Sequence, residues 1–133
     1  MKPLKASVTK GLTHHSILNA CDNSGARLVK LICVQGLKTT RGRYSSAGIG
    51  DLIMVSIVDG KTEMKKTTSL AVIVRQKKEY RRLTGIRIKF EDNAAVVIKD
   101  DAGNPKGTVV KGPIAKEAAE RWPAIAKIAK IIV

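Results

Sequence analysis

The apolar residues of this chain come in short bursts, each followed within about ten residues by a turn signal. The longest purely apolar runs, Leu70 to Val74 and Ala94 to Ile98, are five residues long. That is the length of a strand; a membrane-spanning helix needs about twenty. The sequence therefore predicts a fold of short strands and no membrane partner.

Most of the strands can be placed. Arg27 to Val34 is rich in Val, Leu and Ile, and follows the turn signal Asn23-Ser24-Gly25. Asp51 to Val58 is apolar on both faces and ends at Asp59-Gly60. Thr67 to Val74 has the same β-rich composition, and Asn93 to Lys99 is a further strand before the turn Asp100 to Gly103. Between them, Ile86, Ile88 and Phe90 alternate with Arg87, Lys89 and Glu91. That pattern predicts a half-buried strand with the apolar three inward and the charges outward. Five strands with little helix between them predict a mainly β fold, a small barrel or sandwich.

The C-terminal end reads differently. Gly112-Pro113 precedes Ile114 to Arg121, and Pro suits a first helical position. Ala115, Ala118, Ala119 and Trp122 recur at helical spacing and would anchor one face, leaving Lys116 and Glu117 exposed. Pro123 breaks this helix and opens a second short one, Ala124 to Lys130. The length fits a single domain over 1–133: a barrel over 1–112 and a helical segment over 113–133.

Charge points to the partner. Lys and Arg number 25 against 11 Asp and Glu, a net +14. A compact chain so charged repels itself unless a polyanion neutralises it, so nucleic acid is the first partner to consider. Only Tyr44, Tyr80, Phe90 and Trp122 are aromatic, too few for stacking platforms along a single strand. The cations cluster. Residues 75–89 hold seven of them, Arg75, Lys77, Lys78, Arg81, Arg82, Arg87 and Lys89, against the single acid Glu79. A strand leading out to these residues and a turn at Thr84-Gly85 leading back describe a projecting β-ribbon with a cationic tip. Guanidinium groups fork onto phosphates and ammonium groups neutralise them. Lys65 and Lys66, near a hairpin, and Arg41 and Arg43, before Tyr44, extend the candidate surface.

Other constellations carry little chemistry. His14 and His15 are adjacent and lack a Cys or carboxylate to complete a metal site. Gly48-Ile49-Gly50 and Gly103 to Gly107 lack the spacing of phosphate-binding loops. No nucleophile–base pair stands out, so neither catalysis nor a cofactor is expected. Cys21 and Cys33 sit in apolar contexts and read as small core residues, with a disulfide left open. Met1 to Lys5 has no apolar stretch after its charges, so no secretory signal is expected and an intracellular protein is the default.

Several ordered motifs resemble a known family. They are Cys21-Asp22-Asn23-Ser24-Gly25-Ala26-Arg27, Ala47-Gly48-Ile49-Gly50-Asp51, and the run AVIVRQKK followed by YRR and a turn Gly. Further on come Phe90-Glu91-Asp92-Asn93-Ala94, Gly107-Thr108 and Gly112-Pro113-Ile114-Ala115-Lys116-Glu117. From about Asn19 to the C-terminus the chain resembles the universal large-subunit ribosomal protein fourteen family. The Arg-Gln-Lys-Lys run and Phe-Glu-Asp-Asn-Ala are similar to its archaeal and eukaryotic branch, with a lean to archaea. Thr84 departs from the Asp, Asn or Ser that the family usually places before the ribbon-turn Gly, which leaves the turn type open.

The resemblance implies a five-stranded barrel, a projecting ribbon and two short C-terminal helices. It also implies binding to large-subunit ribosomal RNA on the face that meets the small subunit, bridges to small-subunit RNA, and contacts with neighbouring ribosomal proteins. Positions matching Lys116 and Glu117 lie where small-subunit RNA and an anti-association factor, initiation factor six, share a surface. A structural, cytoplasmic, ribosome-bound component follows. The competing readings are a free-standing basic nucleic-acid-binding barrel and an RNA-processing enzyme.

Overall fold

The computed structural model describes residues 1–133. Five strands close into a barrel in the order β2 (Ile17–Ala20), β3 (Ala26–Val34), β5 (Leu52–Gly60), β6 (Thr68–Arg75) and β9 (Ala94–Ile98). Neighbours run antiparallel except β2 and β9, whose parallel pairing (Asn19 opposite Ala94) closes the ring. Closure leaves the barrel without a free edge, which removes a route to aggregation.

Alternation sets the interior. Ile53, Val55 and Ile57 of β5 are buried, whereas Leu52, Met54 and Ser56 are only partly so. β9 is buried along its whole length and β6 from Ala71 onward. A second layer covers them. Ala115 donates its amide to the Val74 carbonyl beside β6, and Lys106 donates to Val97 beside β9. Sequence alternation fails in these two strands because neither face meets water.

Four of the five strands read from sequence are barrel strands. The fifth is not. Ile86 is 63% exposed, Phe90 is half-buried, and only Arg87 and Ile88 form a strand, β8. It pairs with β7 (Tyr80–Arg81) in a ribbon separate from the barrel sheet, so no core lies under Ile86. The true fifth strand, β2, buries only Leu18 fully and gives no periodic signal.

The ribbon turn is settled by geometry. The Gly85 amide donates to the Arg82 carbonyl at 2.9 Å, the Arg82 amide donates to Ile86 at 2.9 Å, and Gly85 has φ +88°. This is a three-residue hairpin loop, in which the left-handed position falls on Gly85. Thr84 keeps a negative φ, so its departure from the family pattern costs nothing in backbone strain.

The C-terminal end adds two helices, α1 (Lys116–Arg121) and α2 (Pro123–Ile128). Ala115, Ala118, Ala119 and Trp122 are buried against the barrel as the helical spacing predicts. The Trp122 indole donates to the Gly50 carbonyl at 2.8 Å, and its ring lies so close to Gly103 that a β-carbon there would sit 2.3 Å away. Pro123 opens α2 as expected. Pro113 does not open α1. It lies in β10 (Val110–Ile114), which pairs in parallel with β11 (Ala129–Ile132). A small antiparallel pair joins β1 (Leu12–Thr13) to β4 (Ser46–Ala47).

Of the two cysteines only Cys21 is buried. Its thiol donates to the Ala95 carbonyl, and burial pushes its pKa up to about 12. Cys33 points outward from β3, contrary to the core reading, and both are free thiols.

Candidate nucleic-acid interface

The candidate cations separate into two populations. Arg41 and Arg43 are exposed in the segment between β3 and β4. Lys65 and Lys66 are exposed in the β5–β6 hairpin, Lys65 within 3.2 Å of Asp59. Lys77, Lys78, Arg81, Arg87 and Lys89 are exposed too, with Lys78 3.6 Å from Glu79. Cross-strand register brings Arg81 and Arg87 directly opposite each other, on one face of the ribbon.

Arg75 and Arg82 belong to the other population, against the sequence expectation. Arg75 is 8% exposed. Its Nε and Nη2 donate to the two oxygens of Asp92 at 2.8 and 3.1 Å. Its Nη1 donates to the carbonyls of Lys111 and Pro113 at 3.0 and 2.8 Å. The guanidinium thus ties β6 to the Asp92 turn and to β10, and is not free to meet a phosphate. It also holds the Asp92 carboxyl below its ordinary value.

Arg82 fails as an open cation for a similar reason. Its Nε donates to Glu117 Oε1 at 2.8 Å, and its Nη2 donates to Glu117 Oε2, the Tyr80 hydroxyl and the Val133 main-chain oxygen. The Tyr80 hydroxyl donates to Glu117 Oε2 at 2.7 Å. Glu117, expected on the exposed side of α1, is 5% exposed. Helical spacing puts it beside Lys116, but the ribbon covers it. Burial raises its pKa, yet the bonds from Arg82 and Tyr80 outweigh burial and hold it below the ordinary glutamate value. Burial, with the Glu117 bond, pushes Tyr80 up to about 12. Lys116 does stay exposed, 3.9 Å from Glu120.

Sequence reasoning missed two features. Gln76 is fully buried: its Oε1 accepts from the Ile49 amide, and its Nε2 donates to the Thr9 and Lys78 carbonyls. It fixes where the chain leaves the barrel. The second is a polar groove with Arg27, Lys61 and Lys111 on its rim and one exposed-side acid, Asp59. These cations are scattered singly along the chain, so no local run announces them.

Comparison with known proteins decides the family. Residues 11–133 match the family described as Ribosomal protein L14p/L23e. The chain belongs to this family. It is 57% identical, over all 133 residues of both chains, to the large ribosomal subunit protein uL14 of Nanoarchaeum equitans. It is 50% identical over the full length of both to that of Halorubrum lacusprofundi. With that of Methanococcus vannielii the figure is 46%, over 99% of each chain. These relatives are archaeal, and similarity extends ahead of Asn19, where the motifs begin. Members of the L14p/L23e family are structural proteins of the ribosome and not enzymes.

Proposed function

We propose that the protein binds large-subunit ribosomal RNA at the face that meets the small subunit, and takes part in bridges to small-subunit RNA. It is a cytoplasmic, ribosome-bound structural component that neutralises and positions RNA segments which would otherwise repel. The observation that carries this reading is the outer face of the ribbon. Arg81 and Arg87 stand opposite each other there, exposed, and neither takes part in an ion pair. Unpaired guanidinium groups rising from facing positions suit a dense row of phosphates. With few aromatics, recognition rests on backbone and shape.

Lys116 suits a second role. It is exposed on the first turn of α1, where the family resemblance puts a surface shared by small-subunit RNA and initiation factor six. One surface cannot serve both partners at once, so factor binding would block subunit joining by exclusion. Lys116→Glu is expected to leave incorporation into the large subunit near normal while weakening both subunit joining and factor docking, since charge is reversed against complementary partners. The measurement is factor binding to purified mutant subunits, with the joined fraction at fixed magnesium. Wild-type values for both would remove Lys116 from the interface. Co-sedimentation of the protein with large subunits at moderate and high salt tests the wider reading; a protein found off the ribosome would point to a free-standing binder.

A further inference from the structure

The ribbon should not hold its shape unaided. β7 and β8 contribute two residues each, and an isolated two-stranded hairpin is marginal in water. Its register makes matters worse, because like charges directly opposite one another destabilise a sheet. The Arg82 amide donates to Ile86. By the alternation of an antiparallel ladder, the next pair, Arg81 and Arg87, is a non-hydrogen-bonded one, whose side chains stand closer. Two arginines therefore rise from facing positions on a short ribbon, and neither lies within 4.0 Å of a carboxylate.

The opposite face supplies the restraint. Tyr80 is fully buried, and its hydroxyl meets Glu117. Arg82 grips both Glu117 oxygens and the Val133 main-chain oxygen. Glu117 sits on a helix whose neighbours Ala115, Ala118 and Trp122 are buried against the barrel. The ribbon is thus fastened, through one carboxylate, to the most firmly packed part of the C-terminal segment. Both oxygens of that carboxylate are satisfied, the condition under which a buried polar network rigidifies its surroundings.

The geometry points to a positioning role for this network: the Tyr80–Glu117–Arg82 latch holds Arg81 and Arg87 as a preorganised pair of guanidinium groups for two phosphates of an RNA backbone. The inference rests on the RNA-binding reading above and deepens it. Ordering the pair before binding removes an entropy cost that a loose ribbon would meet on contact with RNA.

Glu117 makes the test one of sign. It is an anion in a cation-rich protein, so long-range electrostatics alone says its removal tightens RNA binding. The latch says that removal weakens it. Glu120, exposed on the same helix and outside the network, provides the charge control.

The experiment measures affinity of the full chain for a large-subunit ribosomal RNA transcript at fixed salt, with amide exchange and melting alongside. Arg81→Gln with Arg87→Gln should weaken binding. Glu117→Gln should weaken it roughly three- to tenfold despite the lost negative charge, while Glu120→Gln binds as tightly as wild type or more so. Tyr80→Phe keeps the buried ring and the net charge, and should weaken binding in the same direction. Exchange at the Arg82 and Gly85 amides should quicken in both latch variants. A purely structural network would lower the melting point and leave the affinity of the folded protein alone. If Glu117→Gln and Tyr80→Phe bind like wild type or tighter while the arginine double variant weakens, the latch does not position the pair. If the arginine double variant also binds like wild type, the ribbon is not an RNA contact and both readings fall there. Should Glu117→Gln fail to fold, Tyr80→Phe decides the matter.

Discussion

The segment between β3 and β4 and the ribbon carry the same kind of residues and use them differently. Lys38, Arg41 and Arg43 in the first are all exposed and unpaired, and Tyr44 beside them is 83% exposed. In the second, Tyr80 is fully buried and Arg82 is bonded on three sides. What separates them is an acid far away in sequence. Glu117 lies 35 residues beyond Arg82, and Asp92 lies 17 beyond Arg75. Acids are scarce here, 11 against 25 cations. An acid that holds a guanidinium across the fold, buried as Glu117 is or partly covered as Asp92 is, therefore marks the cations that build the protein, and the exposed cations without such an acid are the ones available to a polyanion.

The hardest test of that division is Arg75. Arg75→Ala would leave Asp92 without its fork and two carbonyls, of Lys111 and Pro113, without a donor. Breaking a fully buried pair by removing one partner typically costs about 3–5 kcal/mol. The Asp92 side chain keeps 32% exposure and can be hydrated, so a loss at or below the lower figure is expected. Arg41→Ala should fall within about 0.5 kcal/mol of wild type, as exposed surface changes do. Chemical denaturation of the two variants checks the contrast. Equal stability would mean that the Arg75 clamp is dispensable and that the two populations of cation do not exist.

Acid should act on the same division. Asp92 is held low by its bond from Arg75, while in Glu117 the bonds from Arg82 and Tyr80 overcome the upward push of burial. A carboxyl whose folded pKa is lowered stabilises the fold above its unfolded value and loses that contribution as pH falls through the folded one. The contributions are therefore complete above the ordinary values of 3.8 and 4.5 and disappear below them. Asp22, raised by burial, works in the opposite direction, so the comparison is made between variants at each pH. Melting temperature should fall less steeply with acid in Arg75→Ala than in wild type. Parallel curves would detach Asp92 from acid stability.

These ion pairs are also where sequence reasoning stopped. β3, β5, β6 and β9 were legible because each is an apolar run set off by turn residues. β2 was not, because Ile17 and Asn19 face outward and Leu18 alone is fully buried. Its place in the barrel comes from pairing with β9, whose partner residues lie some 75 positions away. Gly112-Pro113 looks like a helix start, yet Gly112 has φ +80° and a β-carbon there would meet Arg75 at 2.9 Å. The pair belongs to a strand that wraps the Arg75 guanidinium. Local spacing likewise puts Glu117 on the outside of α1, and nothing near it in sequence indicates that Tyr80 and Arg82 will cover it. The cationic surface was legible as composition, and nine of the eleven cations named from sequence are exposed; that Arg75 and Arg82 turn to distant acids was not legible.

Phe90 gives an intermediate case. If it lined the barrel, Phe90→Ala would cost about 3–5 kcal/mol. It is half-buried, packed against the core only in part, and lies past the end of the ribbon. A loss of about 1–2 kcal/mol is expected, in proportion to the apolar area it covers. A value at the upper figure would place the ring deeper than the structure does.

The smallest expected effect on stability belongs to the exposed segment, and it carries the sharpest functional readout. Arg41→Ala combined with Arg43→Ala removes two cations that touch no acid. Neither residue lies in a strand or helix, so melting should be unchanged. Each phosphate contact releases condensed counterions on binding, and the dependence of affinity on salt counts those contacts. The double variant should therefore bind ribosomal RNA more weakly at low salt, with the slope of log affinity against log salt shallower by about two. The same measurement on Arg82→Gln sets the two regions side by side. Arg82 is neutralised by Glu117 within the protein, so its loss should weaken binding through the shape of the ribbon and leave the slope nearly as it was. A slope change as large for Arg82 as for one of the exposed arginines would mean that Arg82 leaves Glu117 for a phosphate when RNA arrives, and that the acid does not mark a structural cation after all.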